Sequence, residues 1–181
     1  MLHWLKLSEG MKLDKYIVDS SALITPFRQY YPFDLAGSFW NQMEKALKCE
    51  EVILLDVVVS ELTRLEDDLS DWLKSINDLR VTSVKTQEII QRYSEVLNYL
   101  QESGRYQEAA LRSWANMQVA DPWLIAAAIE TNAVIITDEK SSGPITPGHP
   151  SRNAKIPDVA EHFDIQCENL FYFMRKMNIR L

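Results

Sequence analysis

Residues 16–24, Tyr16-Ile17-Val18-Asp19-Ser20-Ser21-Ala22-Leu23-Ile24, carry a short apolar run that stops at an acid followed by two small hydroxyl residues. A strand with one wet face alternates polar and apolar side chains. A run without alternation suits a strand covered on both faces, as in a parallel sheet. The signature recurs. Val52-Ile53-Leu54-Leu55, continuing past Asp56 into Val57-Val58-Val59, predicts a second central strand, or a strand and its exit; Ala133-Val134-Ile135-Ile136-Thr137 predicts a third, ending in Asp138-Glu139-Lys140. Parallel neighbours need long crossovers, and the segments between these runs have helical periodicity. Asp34, after Tyr31-Pro32-Phe33, reads as the N-cap of a helix whose apolar face is Phe39, Met43 and Leu47. Ser60-Glu61 begins another, with Leu62, Leu65, Leu69, Trp72 and Leu73 as its stripe. Residues 84–116 read as helical with a break near Ser103-Gly104, and Ala120–Ile129 as a compact helix. A proline- and glycine-rich loop from Gly143 to Pro157, a short element near Lys155-Ile156 and a terminal helix around Leu170 to Met177 complete the chain. The expected class is α/β: a three-layer α/β/α sandwich around a parallel sheet of four to five strands. One domain spans 16–181, with a helical insertion at about 84–116, behind an N-terminal extension of residues 1–15.

In open parallel sheets ligands bind beyond the carboxyl ends of the strands, and this sequence repeatedly places an acid there. Asp19 ends the first strand, Glu61 starts the helix after the second, and Asp138 and Glu139 end the third. Asp121 starts the helix that leads into that third strand, so a short antiparallel link returns it to the same edge. Each acid also has a structural reading. Asp121-Pro122 is a good helix start, Glu61 suits the positive end of a helix dipole, and one of Asp138 and Glu139 suits a turn. Glu66-Asp67-Asp68, with Asp71, reads as a solvated helix face. Asp19 is the exception, because no cap or turn requires an acid there. Two carboxylates ~5 Å apart repel by roughly 3 kcal/mol at an effective dielectric of ~20, and Mg²⁺ or Mn²⁺ relieves such crowding. His3, His149 and His162 are scattered without zinc-ligand spacing.

Composition limits the partners. Nineteen basic against 26 acidic residues give the 181-residue chain a formal charge of −7, which argues against holding nucleic acid by bulk charge but leaves room for a nuclease whose acids bind metal. Two cysteines exclude a disulfide framework and favour a reducing, cytoplasmic setting. No apolar run is long enough to cross a membrane, and the first ten residues are too short and broken for a signal peptide.

Taken together, these segments resemble the PIN-domain nucleases. Residues 17–24 look like the family's opening motif. Val58-Val59-Ser60-Glu61-Leu62 and Ala120-Asp121-Pro122-Trp123-Leu124-Ile125-Ala126-Ala127-Ala128 look like the segments carrying its second and third acids. Val134-Ile135-Ile136-Thr137-Asp138-Glu139 looks like the strand that finishes the site. The Ala-Asp-Pro-Trp form, Tyr31-Pro32 and the late Lys155-Ile156-Pro157 more narrowly resemble a PIN-like prokaryotic branch without an assigned function. The resemblance implies a metal-dependent endoribonuclease, like the toxins of VapBC-type toxin–antitoxin pairs. Asp19, Glu61 and Asp121 would hold Mg²⁺ or Mn²⁺, Asp138 or Glu139 would complete the shell, and Ser20 or Thr137 would orient the ligands. Spacing from Thr137 favours Glu139, while Asp138 competes. RNA would be the substrate, and an antitoxin protein and a second copy of the chain are the implied partners. The helical stretch 84–116 exceeds what a minimal toxin needs and would extend the substrate groove or form a partner surface. Arg28, Lys140, Arg152 and Lys155 are candidate phosphate contacts, or solvated charges. Two other readings compete: a receiver-like signalling domain with Asp56 as phosphoacceptor, weakened by a single Asp19 where an acid pair is expected, and a PIN fold without activity that binds RNA or protein.

Overall fold

The structure is a computed structural model, and it describes residues 14–64, 66–144 and 148–181. The expected N-terminal extension and Leu65 therefore lie mostly or wholly outside the described residues. Four strands, β1 (Tyr16–Val18), β2 (Val52–Ile53), β3 (Val134–Ile136) and β4 (Cys167–Glu168), form one parallel sheet in the order β2-β1-β3-β4. All three residues of β1 are buried, as the unbroken apolar run requires of a strand covered on both faces. The chain leaves β1 for β2 on one side, then crosses to β3 on the other. The crevice between β1 and β3 is therefore the switch point of the sheet, where ligands of such folds bind.

Among the described residues nine α-helices cover the sheet: α1 (Ser21–Thr25), α2 (Gly37–Leu47), α3 (Asp56–Thr63), α4 (Asp68–Ser75), α5 (Gln87–Glu102), α6 (Glu108–Trp114), α7 (Asp121–Thr131), α8 (Ile156–Ala160) and α9 (Leu170–Lys176). The layout is the α/β architecture expected. Helix α7 is apolar on every side, with Pro122 through Ala128 all buried, so it is an internal helix. Its alanines let it lie close to β1 and β3, and its Trp123 ring stacks on Tyr93 of α5 at 3.8 Å. Asn132, left-handed at φ 53°, ends α7 and turns the chain directly into β3.

Three local expectations are corrected. Helix α2 begins at Gly37 behind Ala36, because Tyr31–Asp34 are taken up by packing and turns: Phe33 lies 4.5 Å from the Trp40 ring, and the Tyr31 carbonyl accepts the Trp40 indole N–H at 2.7 Å. The second strand is only Val52–Ile53, and Val57-Val58-Val59 belong to α3, which starts at Asp56. Burial of Val58 and Leu62 against the core outweighs the modest helix penalty of β-branched residues. The expected helix running from Ser60 through Leu73 is two helices, because Asp67 caps a new start, accepting the Ser70 N–H at 3.0 Å. Strand β4 is an element the sequence reading did not contain.

Candidate active site

Asp19 follows β1 and Thr137 follows β3, so the two face each other across the switch point. The ladder continues through them, with Asp19 N–H donating to the Ile136 carbonyl and Thr137 N–H to that of Glu168, both at 2.9 Å. Asp19 is only 4% exposed. Its Oδ2 accepts the Ser21 hydroxyl at 2.5 Å and the Thr137 hydroxyl at 2.8 Å. Ser21 Oγ also accepts the Asp138 N–H at 2.9 Å, and Thr137 Oγ1 the Glu139 N–H at 3.0 Å. Two hydroxyls thus tie the ends of both central strands to one carboxylate. Burial pushes the Asp19 carboxyl up, and Glu139 adds to this; the hydrogen bonds from Ser21 and Thr137 oppose it.

Glu61 reaches the crevice from the second turn of α3. Its Oε2 accepts the Ser20 hydroxyl and its Oε1 the backbone N–H of Ala120, each at 3.0 Å. That second bond ties α3 to the start of α7, where Asp121 is the first helical residue. Burial again pushes Glu61 up, against both bonds. Asp121 differs from the other two, for among the described residues no donor reaches its carboxylate. Burial, with Glu139, Asp19 and Glu61 close by, pushes it up to about 7, and Lys155 pulls against them. The mutual influence of these acids is the electrostatic trace of four carboxylates sharing one crevice.

The two candidates for the fourth acid point apart. Asp138 is exposed and its Oδ2 accepts the Thr25 hydroxyl at 2.9 Å. Glu139 turns inward; its Oε1 meets Lys155 Nζ at 2.6 Å and its Oε2 accepts the Ile156 N–H at 2.6 Å. Lys155 is thus bound to Glu139, which raises its own proton affinity. Arg28 lies 4.0 Å from Asp67, whereas Lys140 and Arg152 form no ion pair among the described residues. Arg152 and Lys155 line a cavity of about 480 Å³ that runs from Asp121 and Glu139 to Ser113 and Trp114 of α6. Asp56, the first residue of α3, accepts the Ser83 hydroxyl at 2.9 Å and the Val84 N–H at 3.2 Å and so anchors the loop ahead of α5.

Sequence reasoning missed three contributors: the Ser21 hydroxyl and the backbone N–H groups of Ala120 and Ile156. Ser21 sat in plain view beside Ser20, but only the fold shows that it, and not its neighbour, bridges Asp19 and the β3 exit. The two backbone donors carry no sequence signal. The side chains gathered there offer carboxylate and hydroxyl oxygens, which suits Mg²⁺ or Mn²⁺, and the nearby Cys167 thiol, pushed up to about 12 by burial and these acids, stays protonated. Yet among the described residues no group of three or more His, Cys, Asp or Glu side chains is arranged to hold a metal ion. Asp19, Glu61 and Glu139 are each engaged by protein donors.

A chain in the crystal structure of VapBC2 from Rickettsia felis bound to a DNA fragment from their promoter superposes with a TM-score of 0.50 at 15% identity, covering 85% of this chain and 97% of that one. At that identity the likeness shows the fold alone, an α/β architecture shared with that chain. None of the curated proteins matches the chain. Residues 16–181, from the first residue of β1 to the C-terminus, match the family described as a domain of unknown function, DUF4411, and the chain belongs to that family.

Proposed function

We propose that this protein is a nuclease of VapC type that hydrolyses RNA with the help of Mg²⁺ or Mn²⁺. One observation carries the reading: four carboxylates from four separate segments gather at the switch point of a PIN-like sheet, and one of them, Asp121, has no donor among the described residues and is pushed up to about 7. Structural acids acquire caps or ion pairs. An acid left unpaired amid like charges, at the place where such folds bind ligands, is better explained by a cation.

Asp19 and Asp121 would hold the ion, with Glu61 within reach. When bound, it would lower the pKa of a water and offset the charge of the scissile phosphate. The remaining work belongs to the chain. Ser21 and Thr137 fix Oδ2 of the Asp19 carboxylate, while Oδ1 has a long 3.4 Å contact to the Ser20 hydroxyl. Ser20 and Ala120 N–H fix Glu61. Asp121 would give up its proton near neutrality as the cation enters. Arg152, in the cavity wall beside Asp121, and Lys140, beyond β3, would take phosphates flanking the cleaved bond.

The test is cleavage of a mixed RNA pool in Mn²⁺, in Mg²⁺ and in EDTA. Cleavage should require the metal. Residues that merely support a metal ligand cost 10–100-fold when changed, so Asp19→Asn and Asp121→Asn should each lose at least about a hundredfold. Variants as active as wild type would remove these acids from the chemistry, and a wild-type protein without nuclease activity in either metal would favour the silent-scaffold reading. We also extend to this chain an antitoxin partner, because the matched structure is of a VapBC assembly. The product of an adjacent reading frame, co-expressed, should co-elute with this protein and suppress cleavage.

A further inference from the structure

We propose that the cleft beside Asp138 seats one base of single-stranded RNA, stacked on Tyr30 and Phe171 while Lys140 meets a neighbouring phosphate. The inference rests on the nuclease reading and adds to it how the strand is held. Among the described residues Tyr30 and Phe171 are the two most exposed Phe, Tyr or Trp side chains, at 57% and 46%. A single exposed apolar residue needs no explanation. These two come from opposite ends of the chain and line the same cavity, of about 250 Å³. That is below the roughly 300–1,000 Å³ of pockets that enclose a whole drug-sized ligand, and suits one flat ring.

The local structure builds this cleft from both sides. Tyr30 ends a wide helical turn, Pro26–Tyr30, in which the Tyr31 N–H donates to the Pro26 carbonyl at 2.7 Å; such turns are rare and often accompany functional sites. Phe171 lies in the first turn of α9, which Asn169 caps by accepting the Tyr172 N–H on Oδ1 at 3.0 Å. With that oxygen spent, the Asn169 amide presents its N–H donors, and Asn169, Lys140 and Asp138 line the cavity with the two rings. A base has π-faces for the rings and an edge of donors and acceptors for the polar groups. An apolar side chain of a protein partner would cover the rings but leave Lys140, Asn169 and Asp138 without partners.

The cleft is also continuous with the acid crevice. The Asp138 N–H donates to Ser21 Oγ at 2.9 Å, and the same hydroxyl donates to Asp19 at 2.5 Å. One hydroxyl therefore separates the two, so a strand with its scissile phosphate at the crevice passes the cleft within a nucleotide or so. Stacking suits an acidic chain, because it adds affinity without the counterion release that makes phosphate contacts sensitive to salt.

The experiment is binding of a short fluorescent single-stranded RNA to the full chain carrying Asp19→Asn, with Tyr30→Ala, Phe171→Ala, Tyr30→Phe and Phe171→Tyr added singly, and melting curves to establish folding. Each alanine variant should bind at least about fivefold more weakly, as loss of one base–aromatic stack implies, with an unchanged salt slope. The two ring-preserving variants should bind as the parent does. The same RNA with one base removed, the abasic position scanned along the strand, should lose as much at one position, and that loss should vanish in the alanine variants. Folded alanine variants that bind as tightly as the parent, or no position at which removing the base matters, would overturn the proposal; the abasic arm needs no substitution in the cleft. If the wild type still cleaves RNA with metal, the nuclease reading survives either result. Alanine variants that bind RNA normally but no longer co-elute with the product of the adjacent reading frame would assign the cleft to a protein partner and also overturn it. A wild-type protein that neither cleaves RNA in Mn²⁺ or Mg²⁺ nor binds it would remove both readings.

Discussion

At Asp121 burial and three neighbouring carboxylates act in the same direction, raising the carboxyl to about 7 from 3.8. A folded-state pKa above the unfolded one means that the neutral acid favours folding. That contribution is complete below about pH 4 and is lost as pH rises through about 7. Asp121→Asn keeps the shape and removes the charge. In EDTA at pH 8 it should therefore melt above wild type and be more stable by up to about 4 kcal/mol, since each tenfold change in proton affinity is worth ~1.36 kcal/mol. At pH 4 the two should melt together. Millimolar Mn²⁺ should reverse the order at pH 8, because only wild type keeps the ligand and gains by linkage. An asparagine variant that melts lower at pH 8 in EDTA would mean that the acids do not crowd. A second residue is tested by Ser21→Ala, which strips a donor from buried Asp19 and an acceptor from the Asp138 N–H; unpaired buried groups cost about 1–3 kcal/mol, read as a lower denaturant midpoint. At this scale Asp19 was legible because an acid closing an apolar strand has no local role. Ser21 was visible but could not be told from Ser20, since the difference lies in a contact with Thr137, 116 positions away.

Elements were legible where their pattern was long and failed where tertiary packing overruled it. Strands β1 and β3 and helix α7 follow from unbroken apolar runs, and their order fixed the switch point. Three consecutive valines argued for strand and are helix, because burial of Val58 and Leu62 outweighs their β-branched penalty; the start at Asp56 then brings Glu61 in its second turn to Ala120. Strand β4 was invisible, being two residues, Cys167–Glu168, whose pairing with β3 alone defines it. The reassignment of Asp56 has a consequence that can be measured. Its carboxylate holds Ser83 and Val84 against the start of α3, so Asp56→Ala should cost about 1 kcal/mol for the lost bonds, again read from the denaturant midpoint. RNA cleavage should be unaffected at temperatures where the variant is folded. Labelling of Asp56 by acetyl phosphate, or loss of cleavage in a folded variant, would restore a chemical role to it.

For the whole molecule the decisive quantity is charge. The chain carries −7, and of the four basic residues considered for substrate, two are already engaged: Arg28 faces Asp67 and Lys155 holds Glu139. Lys140 and Arg152 remain, Arg152 in the cavity wall with Asp121 and Lys140 beside Asp138. A protein that neutralises Z phosphates of a single strand loses affinity with a log–log salt slope of about −0.7Z. Two phosphate contacts therefore predict a slope of about −1.4, shallow for a nucleic-acid-binding protein, and weak affinity for RNA at large. The measurement is binding of a fluorescent single-stranded RNA to the Asp19→Asn variant across a range of potassium chloride concentrations. Replacing Lys140 or Arg152 by Gln should each lower the slope by about 0.7 with little change in metal binding, because neither touches the carboxylates. A steep slope in the parent variant would place the contact surface elsewhere, on basic residues far from the crevice. A slope unmoved by both substitutions would do the same. With so little charge available for attraction, selection of a substrate falls to the shape of the cavity between Asp121 and α6, and loss of cleavage on reshaping it, as in Ser113→Trp, should exceed loss from either basic substitution.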